Sequence, residues 1–457
     1  MAQVVREVIG VGLLLGVSAL PAAAQSMALP AADPVGIARS GAQVAYGYSL
    51  EAAATNPALL ASLKEKGGVY VSAGLEMSST QQTMESTQQS LFSFDRNRSL
   101  AAFGLAARLT PSLTLGLKQD EPFLRHGGLK DGAPSRFLGD GIDLSARRLE
   151  AQLAWAPGAN FSVGFGLGVA HLTYGSTSVV RLDVPNDPTL PASTANPVNG
   201  LVEQRVGQSA DKVVPSYSLG LRWAINTRWT MGFAYQSALK ADLDLKAGFR
   251  DANLGFYAND GFNTAPLGID TRAATLLAVA QPLAVGAGSL ELPSQTTLGV
   301  RHRNLPYMTW EADLRWTSAS LRVPSFAAVQ TPSGLVSAPA ELPHGKSHFG
   351  VNASTELELG KYWTVRAGLS LDQRSVDASY TEPLLGGAPT AAFSIGAGYK
   401  LWGGELNVGY QYRQSQDQDT HRLTGDWSAS GFQPTPVNRI RMEGMGHLLA
   451  LGYRRSF

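Results

Sequence analysis

The sequence predicts an all-β fold: a 14-stranded antiparallel transmembrane β-barrel with an N-terminal hatch lodged in its lumen. Three observations carry this reading. Apolar residues alternate with polar or small ones along most of the chain, long connections alternate strictly with tight turns, and the chain ends on an aromatic residue.

Composition narrows the field first. The chain has 457 residues with 49 Gly, no Cys, 44% hydrophobic residues and 16% charged, which excludes a disulfide scaffold and a disordered charged tail. With 37 Lys+Arg against 36 Asp+Glu, nothing points to nucleic acid as a partner. The start reads as an export signal over residues 1–24. Arg6 precedes an apolar run from Val8 to Leu20, and Ala22-Ala23-Ala24 stands before Gln25, with cleavage expected after Ala24. The one rival for a spanning helix, Ala273 to Leu290, is interrupted by Gln281-Pro282. An exported chain without helical spans is periplasmic, secreted, or a closed barrel in the outer membrane, because lipid offers no partner to an open sheet edge.

Periodicity decides among these. Phe161, Val163, Phe165, Leu167 and Val169 share one face, opposite Ser162, Gly164, Gly166 and Gly168. Tyr217, Leu219, Leu221 and Trp223 oppose Ser216, Ser218, Gly220 and Arg222 in the same way, and Trp310, Ala312, Leu314 and Trp316 oppose Glu311, Asp313 and Arg315. Strands are expected near 67–78, 98–109, 112–119, 146–156, 161–174, 215–225, 229–248, 291–303, 307–318, 347–359, 362–374, 391–402, 404–414 and 444–457. Long loops at 79–97, 120–145, 175–214, 249–290, 319–346, 375–390 and 415–443 then alternate with tight turns. A transmembrane barrel needs that rhythm and a Greek-key sandwich does not. Trp155, Trp223, Trp229, Trp363, Tyr399, Trp402 and Tyr453 sit near strand ends, where interfacial girdles belong. The last strand places His447, Leu449, Leu451, Tyr453 and the terminal Phe457 on one face. This resembles the C-terminal assembly signal of bacterial outer-membrane proteins and implies the barrel assembly machinery as a partner through Tyr453 and Phe457, although Arg455 departs from the pattern.

A 14-stranded barrel is too wide for its own side chains to fill. Residues 25–66 show no strand alternation and are the expected filling, with residues 67–457 as the barrel. Asn56-Pro57-Ala58, followed by Leu59, Leu60 and Leu63, reads as an N-cap, a first-turn proline and a short helix. Gly36-Ile37-Ala38-Arg39-Ser40-Gly41-Ala42, then Ala52-Ala53-Ala54-Thr55-Asn56-Pro57-Ala58, resembles the hatch of the FadL/OmpP1/TodX family of outer-membrane transporters for long-chain fatty acids and other hydrophobic compounds. Leu292-Pro293 leading to Leu298-Gly299-Val300 resembles that family's L-P…G motif. The stretch Tyr46 to Tyr48, and Asp372-Gln373-Arg374-Ser375-Val376, depart from its patterns.

The resemblance implies passive uptake of a hydrophobe, most of all a long-chain fatty acid and alternatively an aromatic hydrocarbon, past outer-membrane lipid and lipopolysaccharide. Gly36, Arg39, Gly41, Asn56, Pro57 and Ala58 are the hatch or gating residues it marks. Phe256, Phe262, Leu276 and Leu277 in the apolar loop 249–290 are candidates to collect the solute; the same loop equally reads as a cover folded onto the barrel mouth. For a fatty carboxylate the family alignment points to Arg322, with Arg222 and Arg366 as further cations aimed into the lumen. Each arginine also reads as the partner of a lumenal carboxylate such as Glu150, Glu311 or Asp313. Enzyme chemistry finds no support: there is no Cys nucleophile and no G-x-S-x-G elbow, and Gly164-x-Gly166-x-Gly168 lies within a strand. His344 and His348 would bind a metal only on a helix, which Gly345 opposes, so no metal or cofactor is expected. A diffusion porin and an outer-membrane lipase remain as the other classes to distinguish.

Overall fold

A computed structural model describes residues 33–46, 50–63, 65–84, 89–128, 139–183, 201–256, 278–284, 288–325, 327–332, 334–337, 345–376, 387–428 and 431–457. The proposed signal 1–24 lies outside them. Fourteen strands form the wall: β1 (Gly67–Met84), β2 (Gln89–Thr110), β3 (Leu113–Gly128), β4 (Gly141–Gly158), β5 (Phe161–Asp183), β6 (Leu201–Ala224), β7 (Trp229–Gln236), β12 (Gln295–Leu305), β13 (Met308–Thr317), β16 (His348–Leu359), β17 (Trp363–Asp372), β18 (Thr390–Leu401), β19 (Gly404–Ser428) and β20 (Gly431–Ser456). Each pairs antiparallel with the next, and β20 returns to β1 through a ladder running from Gly68↔Ser456 to Met84↔Ile440. Gly67 and Phe457 exchange backbone N–H···O bonds of 2.9 and 3.0 Å at the join. Closure leaves no edge for lipid to strand without partners. No helix among the described residues is long and apolar enough to cross a membrane; the crossing is made by strands.

The alternation read from the sequence inverts as a membrane barrel requires. Phe165, Leu167, Leu219, Leu221, Leu314 and Trp316 lie exposed on the outside, whereas Ser162, Ser218, Glu311 and Asp313 are buried within. Trp155, Trp223, Trp229 and Trp363 are also exposed, all beside the short turns, and Trp363 packs on Tyr399 at 4.6 Å between ring centroids. At the 401–404 turn, Trp402 and Gly403 take left-handed φ of 52° and 73°, the backbone of a tight hairpin.

Several boundaries differ from expectation. The strands on the long-loop side run well past the lipid belt, so much of the expected loops 79–97, 175–214 and 415–443 is hairpin ladder. Beyond lipid neither face must be greasy, and sequences such as Gln81-Gln82-Thr83 lose the alternation that announces a strand. The expected strand 229–248 is in fact broken after Gln236. Ser237 exchanges bonds with Tyr217, after which β8 (Leu239–Asp242) leaves the wall and β9 (Lys246–Phe256) hangs on the outer part of β6. Leu239, Ala241 and Leu243 continue the alternation but face an internal cluster, which a period of two cannot distinguish from lipid. The expected strand 291–303 is also split. β11 (Ser289–Leu292) pairs with β8, and Pro293, without an N–H, separates it from β12. Beside the mouth, β10 (Gln281–Leu283), β14 (Ala328–Thr331) and β15 (Gly334–Ser337) make a small sheet.

The ladder between β2 and β3 stops short of the ends of both strands. β2 and β3 pair only from Thr110↔Leu113 to Phe103↔Gln119, so residues 120–128 of β3 have no ladder partner on β2. Glu121-Pro122 coincides with a register shift against β4, and Leu124 turns in to pack with Ile37, Leu100, Leu448 and Ala450.

Candidate functional site

The N-terminal segment lies across the lumen. Asp33 caps helix α1 (Pro34–Ala38), accepting from Gly36 N at 2.7 Å with Pro34 in the first turn. Ser40 (φ 50°) and Gly41 (φ 84°) then reverse the chain, and Gly41 N donates to Gly36 O at 2.8 Å. Asn56 opens a 3-10 helix, Pro57–Ser62, and its Oδ1 accepts from Ala58 N at 3.1 Å. The expected cap and proline are in place; the helix is the tighter form. Inward-facing glycines of the wall make room for the segment: a Cβ on Gly220 would lie 2.9 Å from Ala58 N, one on Gly452 2.9 Å from Pro34, and one on Gly368 2.5 Å from the Arg39 carbonyl carbon.

Polar bonds tie this segment to opposite walls. Arg39 donates to Glu311 at 2.7 Å and to Ala42 O at 2.8 Å, and its guanidinium lies 4.2 Å from the Tyr46 ring centre. Tyr46 donates to both Glu356 oxygens at 2.9 Å; burial, then the Glu356 charge, pushes its hydroxyl pKa up to about 12. Asp313 accepts from Gln43 N and Val44 N at 2.9 and 3.2 Å, while Glu311 accepts from Ala45 N at 2.7 Å. Asn56 Nδ2 donates to Val44 O at 2.8 Å and to Leu221 O of β6 at 3.0 Å. Arg454 reaches Glu51 at 3.3 Å, and Lys118 donates to Ala54 O at 2.5 Å. Burial first, and Glu51 second, raise the Asp33 carboxyl pKa to about 6.

Against the segment lies a small cavity of about 60 Å³, lined by polar groups including Gln43, Thr55, Asp120, Arg148 and Arg315. Tyr70, Ala102, Glu121 and Pro122 also line it, so it abuts the β2–β3 discontinuity. Arg148 grips Asp120 with two bonds of 2.6 and 3.0 Å, and Arg315 pairs with Asp372. Toward the long loops the lumen turns apolar: Leu144, Leu172 and Tyr174 of the wall pack against Leu239, Leu290, Leu292 and Val323. The β8/β11 ribbon turns this face inward and Lys240 and Glu291, paired at 2.6 Å, outward. Tyr174 and Ser178 donate to the carbonyls of Pro324 and Ala327 at 3.0 and 3.2 Å, and Gln208 to that of Ser325, clasping this segment over the mouth.

The expected site residues separate accordingly. Gly36, Arg39, Gly41, Asn56, Pro57 and Ala58 come together in the lumen. Arg366 is fully buried against Glu356 at 2.6 Å, Asn407 at 2.7 Å and Glu405 at 3.1 Å, the carboxylate-paired reading with partners other than those named from the sequence. Arg222 is half-buried on β6 opposite Gly232. Arg322 is exposed at the mouth, its backbone bridged to Glu291 by two 2.9 Å bonds. Phe256 ends β9, and nothing is described of its side chain; Phe262, Leu276, Leu277 and His344 lie outside the described residues. No local sequence signal marks the grip of Glu311 and Asp313 on the segment's backbone. Their alternation behind Trp310, Ala312 and Leu314 announces inward carboxylates but not what they hold. Among the described residues no group of His, Cys, Asp or Glu is placed to hold a metal.

An apolar exterior, an even number of strands, short turns at one end and long hairpins at the other define an outer-membrane β-barrel. Its sequence matches the model of outer membrane protein transport proteins (OMPP1/FadL/TodX) over residues 13–457, and the chain belongs to that family of hydrophobic-compound transporters, whose members are channels rather than enzymes. A Pseudomonas aeruginosa FadL homologue is similar in structure, with a TM-score of 0.72 at 15% identity, covering 95% of this chain and 100% of that one. The Ralstonia pickettii toluene transporter TbuX has a TM-score of 0.54 at 14% identity over 94% of this chain and 99% of that one. The Pseudomonas putida toluene transporter TodX has 0.57 at 13% identity over 96% and 99%. Such identities speak for the fold alone. No curated protein matches the sequence.

Proposed function

We propose that the protein carries long-chain fatty acids passively across the outer membrane, after removal of residues 1–24, with residues 25–66 as the plug of the 67–457 barrel. The observation that carries the reading is the apolar cluster at the mouth, roofed by a ribbon whose outer face bears Lys240, with Arg322 beside it. A tail suits such a cluster while its carboxylate stays at the rim beside Arg322, Lys240 being paired with Glu291. The solute collects first on the loop carrying Phe256, Phe262, Leu276 and Leu277, past the polar, ion-bridged lipopolysaccharide surface. It then leaves sideways where β2 and β3 are unpaired, since no ladder bond has to break there.

A second reading, neutral aromatic hydrocarbons, is favoured by the carboxylate partners of Arg148, Arg315 and Arg366, which leave the lumen's ion pairs already matched. Binding of labelled oleate and of toluene to the detergent-solubilised protein separates the two. Arg322→Ala is expected to weaken oleate about tenfold, the loss of one charge-assisted bond, and to leave toluene unchanged. Tight toluene binding with none of oleate would reverse the assignment, and large conductance without binding of either would indicate a porin.

A further inference from the structure

At the short-turn end, which faces the periplasm in an outer-membrane barrel, a pocket of about 530 Å³ opens between the N-terminal segment and the 401–404 turn. Its volume falls within the range of small-molecule sites, roughly 300–1,000 Å³. Leu50 and Leu63 of the segment form its apolar side, Tyr362 and Trp402 stand at its rim, and Lys400 and Arg454 line it from β18 and β20. Arg454 is matched already, by Glu51 at 3.3 Å and Glu405 at 2.7 Å. Glu405 lies directly across the ladder from Lys400 but is shared by Arg366 and Arg454, which leaves the Lys400 ammonium to the pocket it lines. Trp402 is the second unusual feature. A left-handed residue of a tight hairpin is normally Asn, Asp or Gly, yet Trp402 holds φ 52° with 80% of its surface exposed, so neither turn chemistry nor packing accounts for it. Tyr453 fixes the turn by donating to Trp402 O at 3.2 Å. An indole at the rim of a leucine-lined hollow, with a cation at its edge, suits a molecule with an apolar chain and an anionic head.

We propose that this pocket binds a single-chain lipid anion from the periplasmic side, its acyl chain between Trp402 and the two leucines and its carboxylate or phosphate on Lys400. The site lies at the opposite end of the barrel from the mouth cluster and Arg322, and it stands whether or not a solute crosses from that mouth. Two sources share the chemistry: a free fatty anion, or a lysophospholipid of the inner leaflet.

Diazirine-bearing palmitate, lysophosphatidylglycerol and hexadecanol are photocrosslinked to the purified protein in phosphatidylcholine nanodiscs, and the adducts are mapped by mass spectrometry. One or both anions should label residues 400–404 saturably, at least about fivefold above hexadecanol, the advantage of a charge-assisted bond. Labelling by palmitate alone assigns the free fatty anion, and by lysophosphatidylglycerol alone the membrane lipid. K400E should cut the labelling by about the same factor while K400R keeps it. K361E is the control, a cation on the neighbouring turn that lies over Tyr362 but outside the pocket lining, and should leave the labelling unchanged. W402N places a residue suited to the left-handed turn, so the barrel stays folded by heat-modifiable gel migration while the labelling falls. No anion labelling of the turn, hexadecanol labelling equal to that of the anions, full labelling in both K400E and W402N, or an equal loss from K361E would overturn the proposal. Oleate binding that Arg322→Ala weakens, with no labelling at the turn, would remove the site and leave the transport reading standing. Labelling of the turn together with oleate binding indifferent to Arg322→Ala would do the reverse.

Discussion

Asp33 does two things at once: its carboxylate caps α1, and its burial beside Glu51 opposes the charge that makes it a good cap. A carboxyl raised from 3.8 to about 6 binds its proton more tightly in the seated segment than in a released one. Its contribution to seating is therefore full below about pH 4 and is lost as pH rises through 6, by an amount on the order of 3 kcal/mol. Exchange protection of residues 36–41, corrected for intrinsic rates, should fall between pH 4 and pH 7, and Asp33→Asn should flatten that dependence. An unchanged slope in the variant would remove Asp33 as the source. Asn56 has no such liability, since a neutral amide can cap Ala58 and bind Val44 and Leu221 at every pH.

At the level of elements, the seating of the segment depends on what the wall strands lack. The 3-10 helix Pro57–Ser62 rests against β4, β5 and β6, where Gly164 and Gly220 present no side chain. Gly220→Leu should drive the helix off the wall at a cost of about 1–3 kcal/mol, as overpacking does, and produce conductance while the barrel stays folded. Gly158→Leu is the comparison, because a Cβ there meets nothing within 4 Å. Equal conductance from both would mean that contact with the segment is not responsible. The same scale explains the break after Gln236: β8 buries Leu239 and Ala241 against the mouth cluster, and that burial competes with remaining in the wall.

The whole molecule is solvated by lipid outside and filled by its own chain inside. Leu167 lies on the outer face of β5 and is 59% exposed. Leu167→Arg should destabilise the barrel in bilayers by about 2–4 kcal/mol, the range for a cation near the midplane, measured by denaturant unfolding from vesicles. A neutral result would mean that this face does not meet hydrocarbon. Seated and released segment are separate matters from barrel stability, so the Gly220→Leu barrel should unfold at nearly the parent denaturant concentration.

Residues 161–169, 216–223 and 310–316 announce by alternation alone that they are strands with one greasy face, and the rhythm of turns and loops announces a closed antiparallel barrel. These properties are local, because a pleat forces neighbours to opposite sides and lipid demands apolar residues on one of them. The motif around Asn56 was equally legible, since a cap and a first-turn proline act on their own backbone. Three-dimensional structure alone decided that Leu239 and Leu292 face an internal cluster rather than lipid, that β3 loses β2 beyond Gln119, and that Glu311 and Asp313 hold residues 43–45 from some 270 positions away. Each is a choice between partners of equal chemistry at long range, and pairing of that kind leaves no mark on the residues beside it in the chain.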